Sequence, residues 1–351
     1  MLTWGPGLAA AFAKAAVVDR DVRVHVDSPV VGLIQDRNRV SGVVAIIDGD
    51  QVEITARQGV LIATGSYGNA PYAASFEGLA EIVEASPPVL DGDHLSLTDP
   101  TPAAIVRAGR PFLLLGFESL GETHPGTDVT LHLELSRGLG LPHSMVVNRA
   151  GRRFGDESFY GFILAAVQAY DGRTKAYPNY PCFLIGDDRY RTRYPLGDRE
   201  TWPDDVIEAD DVEGLAAALG IDAAGLRSEL AVFNESAEEG SDPRFQRGTL
   251  EYSRLRAGDP NQTPNPNLGA VAVPPFWGIP LKLIGTGIYS MGLAINGSGQ
   301  ALTRSGAEVP GLYATGNAAA YTEQPGYIGG LANTRAITYA YTAAGHAAGA
   351  S

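Results

Sequence analysis

Cysteine is almost absent from the 351-residue chain, with Cys182 the only one. A single thiol excludes an internal disulfide framework and a thiolate metal cluster, and it suits a protein kept in a reducing cytoplasm. Positive charge is scarce as well: 26 Lys and Arg face 40 Asp and Glu, a formal net charge of −14. Phosphate backbones and anionic membrane surfaces are held by clustered Lys and Arg, so nucleic acid is excluded as a partner and a membrane surface is disfavoured. No run reaches the roughly 18 uninterrupted apolar residues of a transmembrane helix. The six histidines (His25, His94, His124, His132, His143 and His346) show no metal-ligand spacing, and no metal ligand is assigned. Ser, His and Asp never fall at nucleophile-elbow spacing, which leaves a hydrolase unsupported.

With 44% hydrophobic residues the chain can bury a large core, and its length implies a soluble globular protein of two domains. Met1–Val18 is apolar but lacks the basic opening of a signal peptide, and Leu8, Phe12, Ala15 and Val18 share one helical face. The expectation is a core-facing helix. Val22, Val24 and Val26 alternate with polar residues as in a half-buried strand, and 30–34, 40–47 and 52–56 read as an antiparallel meander. Gly59–Ala63 is a continuous apolar run ending at Thr64–Gly65, the pattern of a buried parallel strand whose carboxyl end opens on a ligand crevice. Further helices are expected at about 73–85, at 210–219 and at 221–239, with Gly220 as a C-cap and Asp222 as an N-cap. Residues 240–270, rich in Gly, Pro and Asn, read as an ordered wrapping loop.

The stretch Val309–Ala348 combines a short strand, a glycine turn (Thr315–Gly316–Asn317), a loop with Pro325, Gly326, Gly329 and Gly330, and a small-residue helix. Glycines between strand and helix let backbone approach a flat or phosphorylated ligand, and the helix start offers free N–H groups. On pattern alone a bound cofactor and a turn serving only helix packing stay equally open.

The blocks GLYATGN (311–317) and GYIGG (326–330), with GVLIATGSYG (59–68), VNRAGRRFGDESFYGF (147–162) and PCFLIGDDRYRTRYPLG (181–197), resemble the fumarate reductase and 3-ketosteroid 1-dehydrogenase flavoproteins. The DDRYRTRYPLG and DPRFQRG (242–248) blocks resemble the ketosteroid-dehydrogenase-like branch more. The resemblance implies FAD as cofactor and an α/β (α+β) fold. A discontinuous FAD domain at 1–125 and 285–351 would surround an inserted α+β substrate or cap domain at 126–284. It also implies Val30, Ala63, Thr64, Gly65, Gly316, Asn317, Gly330 and Leu331 as cofactor contacts. The family's first βαβ unit is not seen. Gly5–Pro6–Gly7 follows only four residues, too few for the strand that a G-x-G-x-x-G turn needs within a unit of roughly 30 residues. A different start or deletion, a separate chain supplying that segment, and a degenerate product all stay open.

By the same resemblance, Tyr160 is the proton acceptor and Tyr327 polarises the substrate carbonyl, while Phe159, Phe162 and Leu331 contact substrate. Fumarate reductases carry arginines near both tyrosine positions, and a dicarboxylate between aromatic side chains would leave its charges unpaired. An apolar, steroid-like ketone therefore suits Phe159, Tyr160, Phe162, Ile163 and Tyr327 better. Leu331, where the family often has glycine, and Tyr289–Leu293 depart from the pattern and speak against strict steroid specificity. The expected activity is dehydrogenation of a carbon–carbon bond beside a ketone, with the electron acceptor open. The alternatives are an enoate or fumarate-type reductase and an inactive fragment or one half of a split flavoprotein. Asp156 and Glu157 are expected to hold Arg152 or Arg153.

Overall fold

The structure, a computed structural model, describes residues 4–124, 126–197, 202, 206–320 and 330–349. The meander forms as expected: β1 (Val30–Asp36) pairs antiparallel with β2 (Arg39–Ile47), and β2 with β3 (Asp50–Thr55). It lies over a second sheet in which β4 (Val60–Ile62) runs parallel to β15 (Glu308–Ala314), with β14 (Gln300–Leu302) on the other side. Val40, Ile62, Val309, Leu312 and Ala314 fill the space between, so β15 is largely covered, whereas the expected burial of β4 holds for Ile62 and not for Leu61, which is 39% exposed.

A seven-stranded sheet makes up the middle of the chain. Its order is β8 (Thr130–Glu134), β7 (Phe112–Thr123), β12 (Phe276–Ile288), β10 (Cys182–Gly186) and β9 (Ser144–Asn148), with β5 (Val83–Glu84) and β11 (Ile207–Ala209) also pairing with β12. The period of two is explicit in β9 and β10: Val146, Cys182 and Leu184 enter one core, and Met145, Val147, Phe183 and Ile185 the other. A short ladder of β6 (Ile105–Arg107) with β13 (Met291–Leu293) completes the strands.

The sheet's second core is closed by helices α6 (Val212–Leu219) and α7 (Ala223–Glu239), whose Leu226, Leu230 and Phe233 are all buried. Asp211 accepts from Gly214 N (2.7 Å) and Asp222 from Gly225 N, while Gly220 and Gly240 end the helices in the left-handed region. The other core takes Ile163, Leu164 and Val167 of α4 (Tyr160–Val167). Short helices α2 (Ala73–Glu77), α3 (Asp93–Thr98), α5 (Asp188–Arg193) and α8 (Glu251–Ala257) lie in connections, α8 within the expected wrapping loop. The carboxyl-terminal helix α9 spans Leu331–Ala347. Among the described residues no helix is long and apolar enough to cross a membrane.

Three expectations fail. Helix α1 (Trp4–Ala13), continued by a π-helical turn at Lys14–Val18, is not core-facing: Leu8, Phe12 and Val18 are 46%, 54% and 72% exposed, and none of the buried clusters includes this helix. Residues 22–26 form no strand, and Val22, Val24 and Val26 are exposed. Alternation marks a face that could be buried, but a strand exists only when a neighbour completes its hydrogen bonds, and none of the described strands pairs here. The helix expected over 73–85 stops at Glu77, because Gly78 turns left-handed (φ 68°) and caps it.

Candidate active site

Tyr160 opens α4, with Phe159 extended as its N-cap. The preceding residues are pinned from below. Arg153, buried, donates to both Glu157 carboxylate oxygens (2.9 and 2.6 Å) and to Asp242 (2.9 Å), and Arg247 stands 3.3 Å from Glu157. Burial alone would raise the Glu157 carboxyl, but Arg153 and Arg247 hold it below the ordinary range. Asp156 caps the turn instead, accepting from Ser158 N (2.9 Å) and Ser158 Oγ (2.6 Å). The expected pairing of Glu157 with Arg153 thus forms, whereas Asp156 holds no arginine. Gly151 carries φ 67° where α7 begins, and a β-carbon there would lie 2.3 Å from Leu226 N, so only glycine lets this turn seat against the helix.

The Tyr160 ring meets Phe112 edge-on (centroids 5.4 Å) and Phe159 (4.7 Å). Tyr160, Phe159, Phe112, Leu114, Ser158 and Tyr252 line a cavity of about 230 Å³, together with Glu134, Ser136, Arg137 and Arg256. Phe162 is outside that lining, 52% exposed and edge-on to Phe159. Ile163 is packed in the core, since one helical turn carries its side chain into the sheet, and it cannot wall a pocket. Tyr327 lies outside the described residues.

Of the expected cofactor contacts, Ala63, Thr64, Gly65, Gly316 and Asn317 follow the carboxyl ends of the parallel pair. Thr315 N donates to Ile62 O (3.0 Å), joining the end of β15 to that of β4, and Thr315 Oγ1 ties the turn to Ala336 O of α9 (2.8 Å). Asn317 Nδ2 donates to Gly287 O (2.7 Å). A β-carbon at Gly287 would stand 3.4 Å from Leu90 and 3.5 Å from Ser86, and one at Gly65 would collide with Leu90 at 2.5 Å. Thr64–Gly65, Ser86, Gly287 and Gly316–Asn317 therefore surround one place. Gly330 (φ 86°) is the N-cap of α9 and Leu331 its first residue. Val30 opens β1 on the meander.

Sequence reasoning missed two buried phenol–carboxylate pairs. Tyr67 donates to Glu77, which also accepts from Ser290 N (3.1 Å) and Ser290 Oγ (2.9 Å); Tyr289 donates to Glu84 (2.6 Å). Burial, reinforced by the carboxylates, pushes both phenols far up. No spacing rule links Tyr289 to Glu84 across 205 positions, and neither pair lines the cavity beside Tyr160.

The chain matches the family described as FAD binding domain over residues 1–330. It belongs to this family of FAD-binding flavoproteins. A 4-oxocyclohexanecarboxylate 2-dehydrogenase of Sinomonas cyclohexanicum is 32% identical over 90% of this flavoprotein and 55% of that relative. A 3-oxosteroid 1-dehydrogenase of Mycobacterium tuberculosis is 35% identical over 59% of this chain and 39% of its own length. The flavoprotein spans about half the length of the two Sinomonas cyclohexanicum relatives it matches. Among solved structures, the 3-ketosteroid delta1-dehydrogenase of Sterolibacterium denitrificans in complex with 1,4-androstadiene-3,17-dione superposes with a TM-score of 0.83 at 26% identity, over 95% of this chain and 61% of that one. A flavocytochrome c3 fumarate reductase shares the fold, with a TM-score of 0.66 at 19% identity, over 99% of this chain and 56% of that one.

FAD is the family's cofactor, and the residues present fit it. Thr64 Oγ1, Ser66 Oγ, Ser86 Oγ and both ring nitrogens of His94 are buried atoms without a hydrogen-bond partner among the described residues. Gly92 N donates to Ser66 O (3.1 Å), and the His94 ring lies 6.1 Å from that of Tyr67, the residue after Ser66. Unsatisfied buried polar atoms cost about 1–3 kcal/mol each, a cost that a polar ligand lying against them removes.

Proposed function

We propose that the flavoprotein dehydrogenates a carbon–carbon bond next to the carbonyl of an apolar cyclic ketone. Residues 1–125 and 285–351 would hold FAD around a substrate-binding part at 126–284. The 3-oxosteroid and oxocyclohexanecarboxylate dehydrogenases among its relatives support the reaction class. The observation that carries the reading is Tyr160, set by a buried ion network at the wall of an aromatic cavity. Bound FAD supplies the two-electron acceptor for this chemistry.

In this reading Tyr160, as its phenolate, takes the proton from the carbon beside the carbonyl and becomes the neutral phenol, Phe112 and Phe159 fix the plane of its ring, and Tyr327 donates to the carbonyl as enolate charge develops. Phe159, with Phe162 and Leu331, would contact the ketone. Thr64, Gly65, Gly316 and Asn317 would hold the flavin, with Val30 and Ala63 toward its adenine side and Gly330 and Leu331 offering N–H groups at the helix start. The single cysteine is fully buried, its thiol pushed up to about 12 by desolvation, which assigns it no redox role; a cytoplasmic setting belongs to the proposal on the cysteine count alone. A separate chain that completes the FAD site remains part of the proposal.

The test is Tyr160→Phe in flavin-loaded protein. Turnover of a cyclic ketone should fall roughly 10²- to 10⁴-fold with the flavin absorbance retained. Wild-type turnover in the variant would remove Tyr160 from the mechanism. Failure of every cyclic ketone to bleach the wild-type flavin would end the reading.

A further inference from the structure

The cavity beside Tyr160 adjoins a second one of about 440 Å³, and both are lined by Glu134, Ser136, Arg137 and Arg256. Arg137 follows β8, and Arg256 sits in the last turn of α8. Buried Asn267 clamps the two segments: its Nδ2 donates to Gly140 O (2.9 Å) and Ala257 O (3.0 Å). A β-carbon at Gly140 would lie 2.7 Å from that of Ala257, so the segments bearing the arginines are packed against each other. The pair is positioned by the fold rather than scattered on a surface.

Neither guanidinium has an ion pair or a side-chain hydrogen bond among the described residues. The nearby carboxylate of Glu134 accepts from Ser136 N (2.6 Å). In a chain with 14 more acidic than basic residues, carboxylate partners are plentiful, and Arg107, Arg189, Arg227 and Arg244 have all found one. Two cations kept open at the junction of two cavities, one of them walled by aromatic rings, suit a ligand with an apolar end and an anionic end. A planar carboxylate matches the donor fork of a guanidinium.

We propose that Arg137 and Arg256 bind a carboxylate carried by the cyclic ketone, remote from the bond that Tyr160 acts on. The inference rests on the ketone-dehydrogenase reading and narrows its substrate class to ketones that are apolar at the ring and anionic at the far end. A dicarboxylate of the fumarate type is not favoured, because the Tyr160 end offers it Phe112, Phe159 and Tyr252 in place of a second cation.

The test compares a cyclohexanone bearing a 4-carboxylate with its 4-carboxamide in flavin-loaded protein. Binding is followed by calorimetry at low and high salt, and turnover by flavin bleaching. The wild type should prefer the carboxylate by roughly ten- to a hundredfold in kcat/KM, chiefly through KM, and salt should erode the preference. In R137Q/R256Q the ratio between the two compounds should collapse to about one, and R137K/R256K should restore part of it. Equal use of both compounds by the wild type, or an unchanged ratio in the glutamine variant, would overturn the carboxylate site while leaving the dehydrogenase reading intact. Preferential binding of the carboxylate without flavin bleaching would uphold the site and sink that reading, and binding of neither compound would overturn both.

Discussion

The floor beneath Tyr160 and the cradle at the ends of β4 and β15 treat buried polarity in opposite ways. Beneath Tyr160, Arg153, Glu157 and Asp242 are buried and joined by bonds of 2.6–2.9 Å. At the cradle, Ser66 and His94 are buried and Thr64 and Ser86 half-buried, and their buried hydroxyl and ring-nitrogen atoms have no partner among the described residues. A region whose charges satisfy one another needs no ligand to be stable, and can hold a catalytic side chain in one orientation before substrate arrives. A region with polar atoms left over gains on binding what it forgoes alone. The first is scaffold for chemistry, and the second is a socket.

The sharpest way to break this contrast is at the floor. Glu157→Gln keeps the shape but leaves Arg153 with a single carboxylate and Arg247 with a weaker one nearby, so the variant should lose about 3–5 kcal/mol in urea denaturation. Glu157 and Asp242 both titrate below their ordinary range because Arg153 lies beside them. A depressed folded pKa gives stability that is present above the unfolded value, near 4, and lost as pH falls through the folded one. The wild-type urea midpoint should therefore drop steeply below about pH 4, and the variant's less so. A Glu157→Gln protein as stable as the wild type would show the floor to be no more self-sufficient than the cradle.

The socket can be tested at His94. Desolvation lowers its pKa to about 4, against an unfolded value near 6.5. Between those values the unfolded chain binds a proton that the folded one refuses, so stability falls as pH drops from 6.5 to 4 and levels off below. The loss is at most about 3 kcal/mol. His94→Leu in flavin-free protein should flatten this slope in part, since His132 and His143 are also lowered by burial and keep some of it. At neutral pH the variant should be at least as stable as the wild type, with FAD affinity, read by absorbance, reduced. Unchanged FAD affinity would detach His94 from the socket.

What the sequence made legible follows the range of the interaction. Asp211, Asp222 and Gly220 act within a few residues of themselves, and their caps are where local chemistry puts them. The meander and the strand ending at Thr64 were legible for the same reason. Tyr160 stood out as part of a motif, but the group that braces its loop, Asp242, lies 89 positions from Arg153. Arg137 and Arg256 carry no local signal at all, because their segments meet only in the fold, packed at Gly140 and Ala257 and clamped by Asn267. Tyr327, the other proposed catalytic residue, lies outside the described residues.

The smallest expected effect concerns the helix that the sequence misplaced. Leu8, Phe12 and Val18 share a face, and that face would be read as core wherever another element lies against it. If Phe12 were a core residue, truncating it would cost about 3–5 kcal/mol through lost burial and the cavity left behind. In the structure it is 54% exposed and belongs to none of the buried clusters. Phe12→Ser should then change the unfolding free energy read from urea denaturation by no more than about 0.5 kcal/mol, the range of an ordinary surface change. The same substitution separates two views of the flavin side. If FAD loading makes Phe12→Ser costly where the flavin-free protein tolerates it, the helix joins the socket once the ligand is in place. Equal tolerance with and without FAD makes the helix a bystander and confines the socket to the ends of β4 and β15.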